Sequence, residues 1–212
     1  LLKAAGGHVT VNAVNGDAII DQIEAQNGKI TIGTKGRFIG KNETSPILKS
    51  GEIFLRTGNG IIEANIENQD TEGNPKSTTV TIISEGSGDI FITKLLGDLI
   101  IDYINTEGTV DLSVGGDIIK GVKTPENPDD DFDIKASKLI INAEGSIGTA
   151  LDGYLKTMVG NLNAVARGGS IYIKNHADMK VDRAEAAEDI NIYNEGKVET
   201  GIVKAKRDIY LE

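Results

Sequence analysis

The sequence predicts an all-β protein: a single-stranded parallel β-helix, or β-solenoid, with about 19–22 residues per coil. Three observations predict it. A short unit (Gly or a polar residue, then polar, apolar, any, apolar) recurs along the whole chain. Its copies stand at nearly fixed intervals. Glycine supplies 26 of 212 residues, well above the usual share of about 7%.

The units read in order as GHVTV at Gly7, GKITI at Gly28, GEIFL at Gly51, GDIFI at Gly88, GDLII at Gly97, GTVDL at Gly108 and GDIIK at Gly116. Later copies are GNLNA at Gly160, GSIYI at Gly169, EDINI at Glu188 and RDIYL at Arg207. Alternation of period two over four or five residues, bounded by Gly and Asn, marks strands rather than helices. Gly169, Glu188 and Arg207 stand 19 apart, as do Gly97 and Gly116, while Gly88 to Gly108 is 20 and Gly7 to Gly28 is 21. That interval holds two or three short strands and is the perimeter of one coil, each coil stacking only on its neighbours. About ten coils at a rise of about 4.8 Å would make a rod about 50 Å long.

At the carboxyl end the register can be written residue by residue. Ile171, Ile190 and Ile209 share one column and Ile173, Ile192 and Leu211 another; Asn175 pairs with Asn194 and Ala186 with Ala205. Apolar columns fill the interior, and Asn is expected at corners, hydrogen-bonding its own backbone. ADMKVDRAEAAED (Ala177 to Asp189) has helix-favouring composition. Its register nevertheless sets Met179 over Val198, Val181 over Thr200 and Ala184 over Val203, which predicts strand and turn.

Residues 1–212 therefore read as one β-helix segment of a longer chain, since both ends lie inside patterned sequence and no signal peptide precedes it. Longer coils are expected to carry insertions near 40–50, 68–78, 123–133 and 148–157. The first three hold all four prolines, which lack the donor that a central strand needs.

Composition narrows the function. Hydrophobic residues make up 39%, aromatics 4%, and Trp is absent, so the core should be thin and built from Ile, Val and Leu. Net charge is −10, and Lys and Arg are scattered singly. No basic face for nucleic acid or anionic membrane is visible. Without Cys there is no thiolate chemistry and no disulfide framework. No apolar run reaches the length of a membrane span.

No catalytic, cofactor-binding or metal site is assigned. Asp98, Asp117, Asp189 and Asp208 recur in equivalent positions after the turn residue, which marks a repeat feature; they are expected to be solvated strand-edge charges that discourage aggregation. His8 and His176 lie far apart and outside metal-ligand spacing. NPDDDFD (Asn127 to Asp133) is the one acidic cluster. Calcium at Asp129, Asp130, Asp131 and Asp133 is the open alternative to a solvated loop tip, although the run lacks the spacing and glycine of a calcium loop. Tyr172 and Tyr210 fall in one outward column with Asn191 between them, a surface suited to a glycan or a partner protein.

The GDIxI-type strands, the coil of nearly 19 residues and the stretch AEGSIGTALDGYLKTMVGNLNAVARGGSIYIKN (Ala143 to Asn175) resemble large secreted filamentous adhesins of the filamentous haemagglutinin and leukotoxin-like type. The resemblance implies a right-handed parallel β-helix in an extracellular shaft, exported through an outer-membrane two-partner pore. It implies a structural segment that is not an enzyme, with flanking coils of the same chain as neighbours. A host-cell protein or glycan would be the partner, with no nucleic acid and no membrane insertion. The family's amino-terminal secretion signature is not found here. A cytotoxin segment and a carbohydrate-active β-helix enzyme are the rival readings.

Overall fold

The structure, a computed structural model, describes residues 1–40, 47–122, 131–150 and 153–212. The first strands are β1 (Leu2–Ala4), β2 (Val9–Ala13), β3 (Ala18–Ile19), β4 (Gln22–Thr34), β5 (Phe38–Ile39), β6 (Ile47–Thr57), β7 (Ile62–Glu67), β8 (Thr78–Ser84) and β9 (Ile90–Lys94). They are followed by β10 (Leu99–Asn105), β11 (Thr109–Val114), β12 (Ile118–Lys120), β13 (Ile134–Ala143) and β14 (Leu155–Ala166). The last are β15 (Ile171–Asn175), β16 (Met179–Ala186), β17 (Ile190–Asn194), β18 (Val198–Ala205) and β19 (Ile209–Leu211). Strands pair in parallel with those one coil away, giving a β-solenoid of about nine turns.

The columns show why the sequence stacks this way. One interior column runs Ala18, Phe38, Ile62, Ile90, Val110, Leu139, Leu162, Val181 without a break. All eight are buried. Seven of the eight are Val, Leu, Ile or Phe, and fully burying such a side chain stabilises by about 1.5–3 kcal/mol. Val9, Ile30, Ile53, Val80 and Ile101 form a second column. The carboxyl-terminal pairs follow the expected register, including Met179 with Val198 and Ala184 with Val203; Met179–Ala186 is strand, not helix.

The core differs from expectation in two aromatics, because Phe38 and Tyr103 are both 1% exposed. Phe38 stacks directly on Ala18, whose small side chain leaves room for the ring. A third departure is Lys94, fully buried in a column that continues as Val114, Ala143 and Ala166.

The insertions are narrower than the sequence suggested. Ile47–Ser50 belongs to β6 and Leu155–Thr157 to β14, because their alternating side chains continue interior columns. Residues 41–46 and 123–130 lie outside the described residues, and with them Pro46, Pro125 and Pro128. Pro75 is in the remaining excursion, a small hairpin in which Gln69 bridges Pro75 antiparallel. Asp70 organises its turn: Oδ1 accepts the Glu72 and Asn74 amides, at 2.9 Å each. Asn74 Nδ2 donates to Asp70 Oδ2 at 3.0 Å. Lys94 Nζ donates to the Lys76 carbonyl at 3.0 Å, so the interior lysine is tied to the hairpin base. Burial pushes the Lys94 amine below its ordinary value, against the pull of Asp98 and Glu67.

Glycine abundance has a steric cause at the corners. A Cβ on Gly88 would sit 2.1 Å from the Gly60 carbonyl oxygen, and one on Gly60 would sit 2.2 Å from that of Gly36. Successive backbones meet there too closely for any side chain.

Candidate functional site

Three of the four repeat aspartates, Asp98, Asp117 and Asp189, are not the solvated edge charges expected of them, while Asp208 is exposed. Asp98 Oδ1 accepts the Asp117 amide at 2.9 Å, and Asp117 Oδ1 accepts the Ser146 amide at 2.6 Å. Ser146 and Ser170 hydroxyls continue the column to the Ser170 and Asp189 amides, at 3.2 and 3.1 Å. Asp189 Oδ1 then accepts the Asp208 amide at 3.1 Å. Each side chain caps a backbone donor of the following coil where the strand begins, so the spacing is structural.

The Asn column also turns inward. Asn175 is fully buried. Its Oδ1 accepts from Thr157 Oγ1 and the Val159 amide, at 2.9 Å each. Its Nδ2 donates to the Ala177 carbonyl at 2.9 Å and to Asn194 Oδ1 at 2.8 Å. The local bond to Ala177 is the turn contact expected of Asn; the others make an interior ladder.

Among the described residues neither histidine belongs to a metal cluster. His8 Nδ1 accepts the Lys29 amide at 2.9 Å. His176 Nδ1 lies 2.8 Å from Glu195 Oε2, and its ring packs edge-on against Phe132 with centroids 5.2 Å apart. Lys174 first, and then His176, hold the Glu195 carboxyl below the ordinary glutamate range. Among the described residues no group of three or more His, Asp or Glu is placed to hold a metal ion. Asp129 and Asp130 lie outside the described residues. Asp131 pairs with Lys156 Nζ at 2.6 Å. Asp133 is fully buried, and its Oδ2 accepts the Lys156 amide at 2.8 Å.

The arrangement that carries chemistry outward is a tyrosine face on the carboxyl-terminal coils. Tyr172 pairs with Asn191, and Asn191 with Tyr210, in one outward column. Tyr154 extends it: the neighbouring Leu155 pairs with Ile173, and the Tyr154 and Tyr172 rings meet edge to face with centroids 5.6 Å apart. Beside it runs a second outward column, in which Lys156 pairs with Lys174 and Lys174 with Tyr193. Lys174 Nζ lies 5.0 Å from the Tyr193 ring centroid and 3.2 Å from Glu195 Oε1. The two columns frame a shallow groove of about 410 Å³ lined by Tyr154, Lys174, Asn191, Tyr193, Tyr210 and Glu212. The fifth tyrosine, Tyr103, is buried elsewhere.

Sequence reasoning found Tyr172, Asn191 and Tyr210 and missed Tyr154, because GYLKT was assigned to an excursion. The signal was present: Tyr-Leu-Lys-Thr at 154–157 repeats the pattern Tyr-Ile-Lys-Asn at 172–175. Comparison with protein-family models, with curated proteins and with solved structures finds no match to this chain.

Proposed function

We infer that this chain is a shaft segment of an extracellular bacterial filamentous adhesin, a stiff section that holds binding parts of the parent protein away from the cell. The observation that carries the reading is the interior column from Ala18 to Val181, buried throughout and uninterrupted by a domain boundary. Stability in such a stack accumulates coil by coil, so length can grow without a new core. The resemblance of Ala143 to Asn175 to leukotoxin-like filamentous adhesins supports the same reading. With it come export through an outer-membrane pore and a place at the cell surface. The reading gives the segment no catalytic role, and a host-cell surface protein or glycan is the partner it implies.

Attachment by the producing cell is the test. Deleting this segment from the parent gene should reduce saturable binding to host cells or matrix. Unchanged attachment by the deletion strain would sink the reading. So would purified protein that kills leukocytes at low dose or shortens a polysaccharide.

A further inference from the structure

We propose that the Tyr154–Tyr172–Tyr210 column binds an extended, uncharged oligosaccharide lying along the rod axis. The proposal stands on this face alone and goes beyond the shaft reading. Four of the five tyrosines of the chain gather on neighbouring coils of one surface, and Tyr193, which lies inside the stack, is 38% exposed. Tyr is a favoured strand residue in its own right, so the signal is the gathering of the rings on one face. A row of aromatic rings there offers flat apolar area with a polar rim.

The ligand class follows from what the face presents. A pyranose ring has an apolar C–H face that stacks on an aromatic ring, and hydroxyls around its edge that need donors and acceptors. Asn191 stands between Tyr172 and Tyr210 and supplies both through its amide. Lys174 and Glu212 flank the groove and supply one of each kind.

Charge selects against an acidic glycan. Lys156 is paired with Asp131 at 2.6 Å and Lys174 with Glu195 at 3.2 Å, so both cations are already matched. Spacing selects an extended chain. Tyr172 and Tyr210 are two ladder steps apart, about 9.6 Å, which is the length of a disaccharide in an extended β-1,4-linked glycan.

The experiment is calorimetric titration of the purified protein with chitohexaose, cellohexaose, maltohexaose and a heparin hexasaccharide, together with a proline-rich decapeptide. At least one of the two extended hexasaccharides should bind with a Kd of about 1 mM or tighter. Raising the salt should leave that affinity unchanged. Tyr172→Ala and Tyr210→Ala should each weaken it roughly tenfold, while Tyr210→Phe, which keeps the ring, should retain most of it. Circular dichroism establishes that each variant is folded. Equal binding of the coiled maltohexaose, preference for heparin, binding of the peptide alone, no sugar binding at all, or tyrosine variants that bind like the parent would each overturn the proposal.

Discussion

The coils before Ser84 and those after Ile171 solve the same stacking problem differently. After Ile171 the perimeter is fixed at 19 residues and like residues stand over like: Ile171 on Ile190 on Ile209, and Asn175 on Asn194. Before Ser84, Ile30 pairs with Ile53 and Ile53 with Val80, steps of 23 and 27 residues. The outer face there alternates in charge, Lys3 over Glu24 over Lys49 over Glu67, with ion pairs of 2.8 Å at both ends. Gly36 and Gly60 let the corners close there, and Gly88 continues their column into the next coil. An Asn ladder needs its partner at one exact column position, so it fixes the perimeter. Solvent-exposed ion pairs and bare glycine corners are less demanding, and the coil between them can lengthen.

The comparison can be broken most sharply at a glycine corner. Gly88→Val should cost about 3 kcal/mol or more, read as a lowered urea midpoint, because its Cβ would meet the Gly60 carbonyl. Gly160→Ala, where the nearest atom is the Ser137 carbonyl oxygen at 3.3 Å, should cost under about 1 kcal/mol. Equal losses at both sites would remove glycine from the account.

Next in size is the Asn ladder. Asn175→Ala strands the Val159 amide and the Thr157 hydroxyl in the interior, and should cost about 2–4 kcal/mol in the same assay. A smaller effect is expected at Lys94. Lys94→Met keeps the buried volume and removes a desolvated charge, so global stability should hold or rise. The amides of the 69–76 hairpin should exchange faster, because the tie to Lys76 is gone. The lowered Lys94 value also has a sign. More protons bind in the unfolded state, so stability in the parent should rise as pH climbs toward 10.5, and Lys94→Met should abolish that rise.

Acid acts on the other region. The Glu195 carboxyl titrates below its ordinary 4.5, so its contribution is complete above that pH and is lost as pH falls through the lower folded value. Glu195→Gln should flatten that part of the acid-unfolding curve. Smallest of all is the charged face: Lys49→Ala removes an exposed pair and should shift stability by less than about 0.5 kcal/mol.

What was legible in the sequence follows the same division. The carboxyl-terminal register could be written in full because identical residues mark identical positions, down to Val181 over Thr200. Earlier coils lacked that mark, and Ile47–Ser50 and Leu155–Thr157 were assigned to loops although both continue strands. Alternation sets Lys94 on the buried face of Ile90 and Ile92, but it could not reveal what receives the amine there, since that partner is a carbonyl contributed by a separate hairpin. Nor could it separate a solvated aspartate from one that caps the next coil. Asp98 and Asp117 recur in the same place under either account, and only the short contacts to the following amides decide between them.

Those contacts give the rod a polarity. In every step from Asp98 to Asp208 the acceptor belongs to the earlier coil and the backbone donor to the later one. The same holds for Asp17 under Arg37 and Asp89 under Thr109. A coil is therefore like a tile with a plug on one side and a socket on the other. Two such faces of the same kind, brought together, would set carboxylate against carboxylate or leave amides facing amides. Sheet edges are ordinarily indiscriminate in what they pair with; these carry a key that admits a neighbour from one direction only.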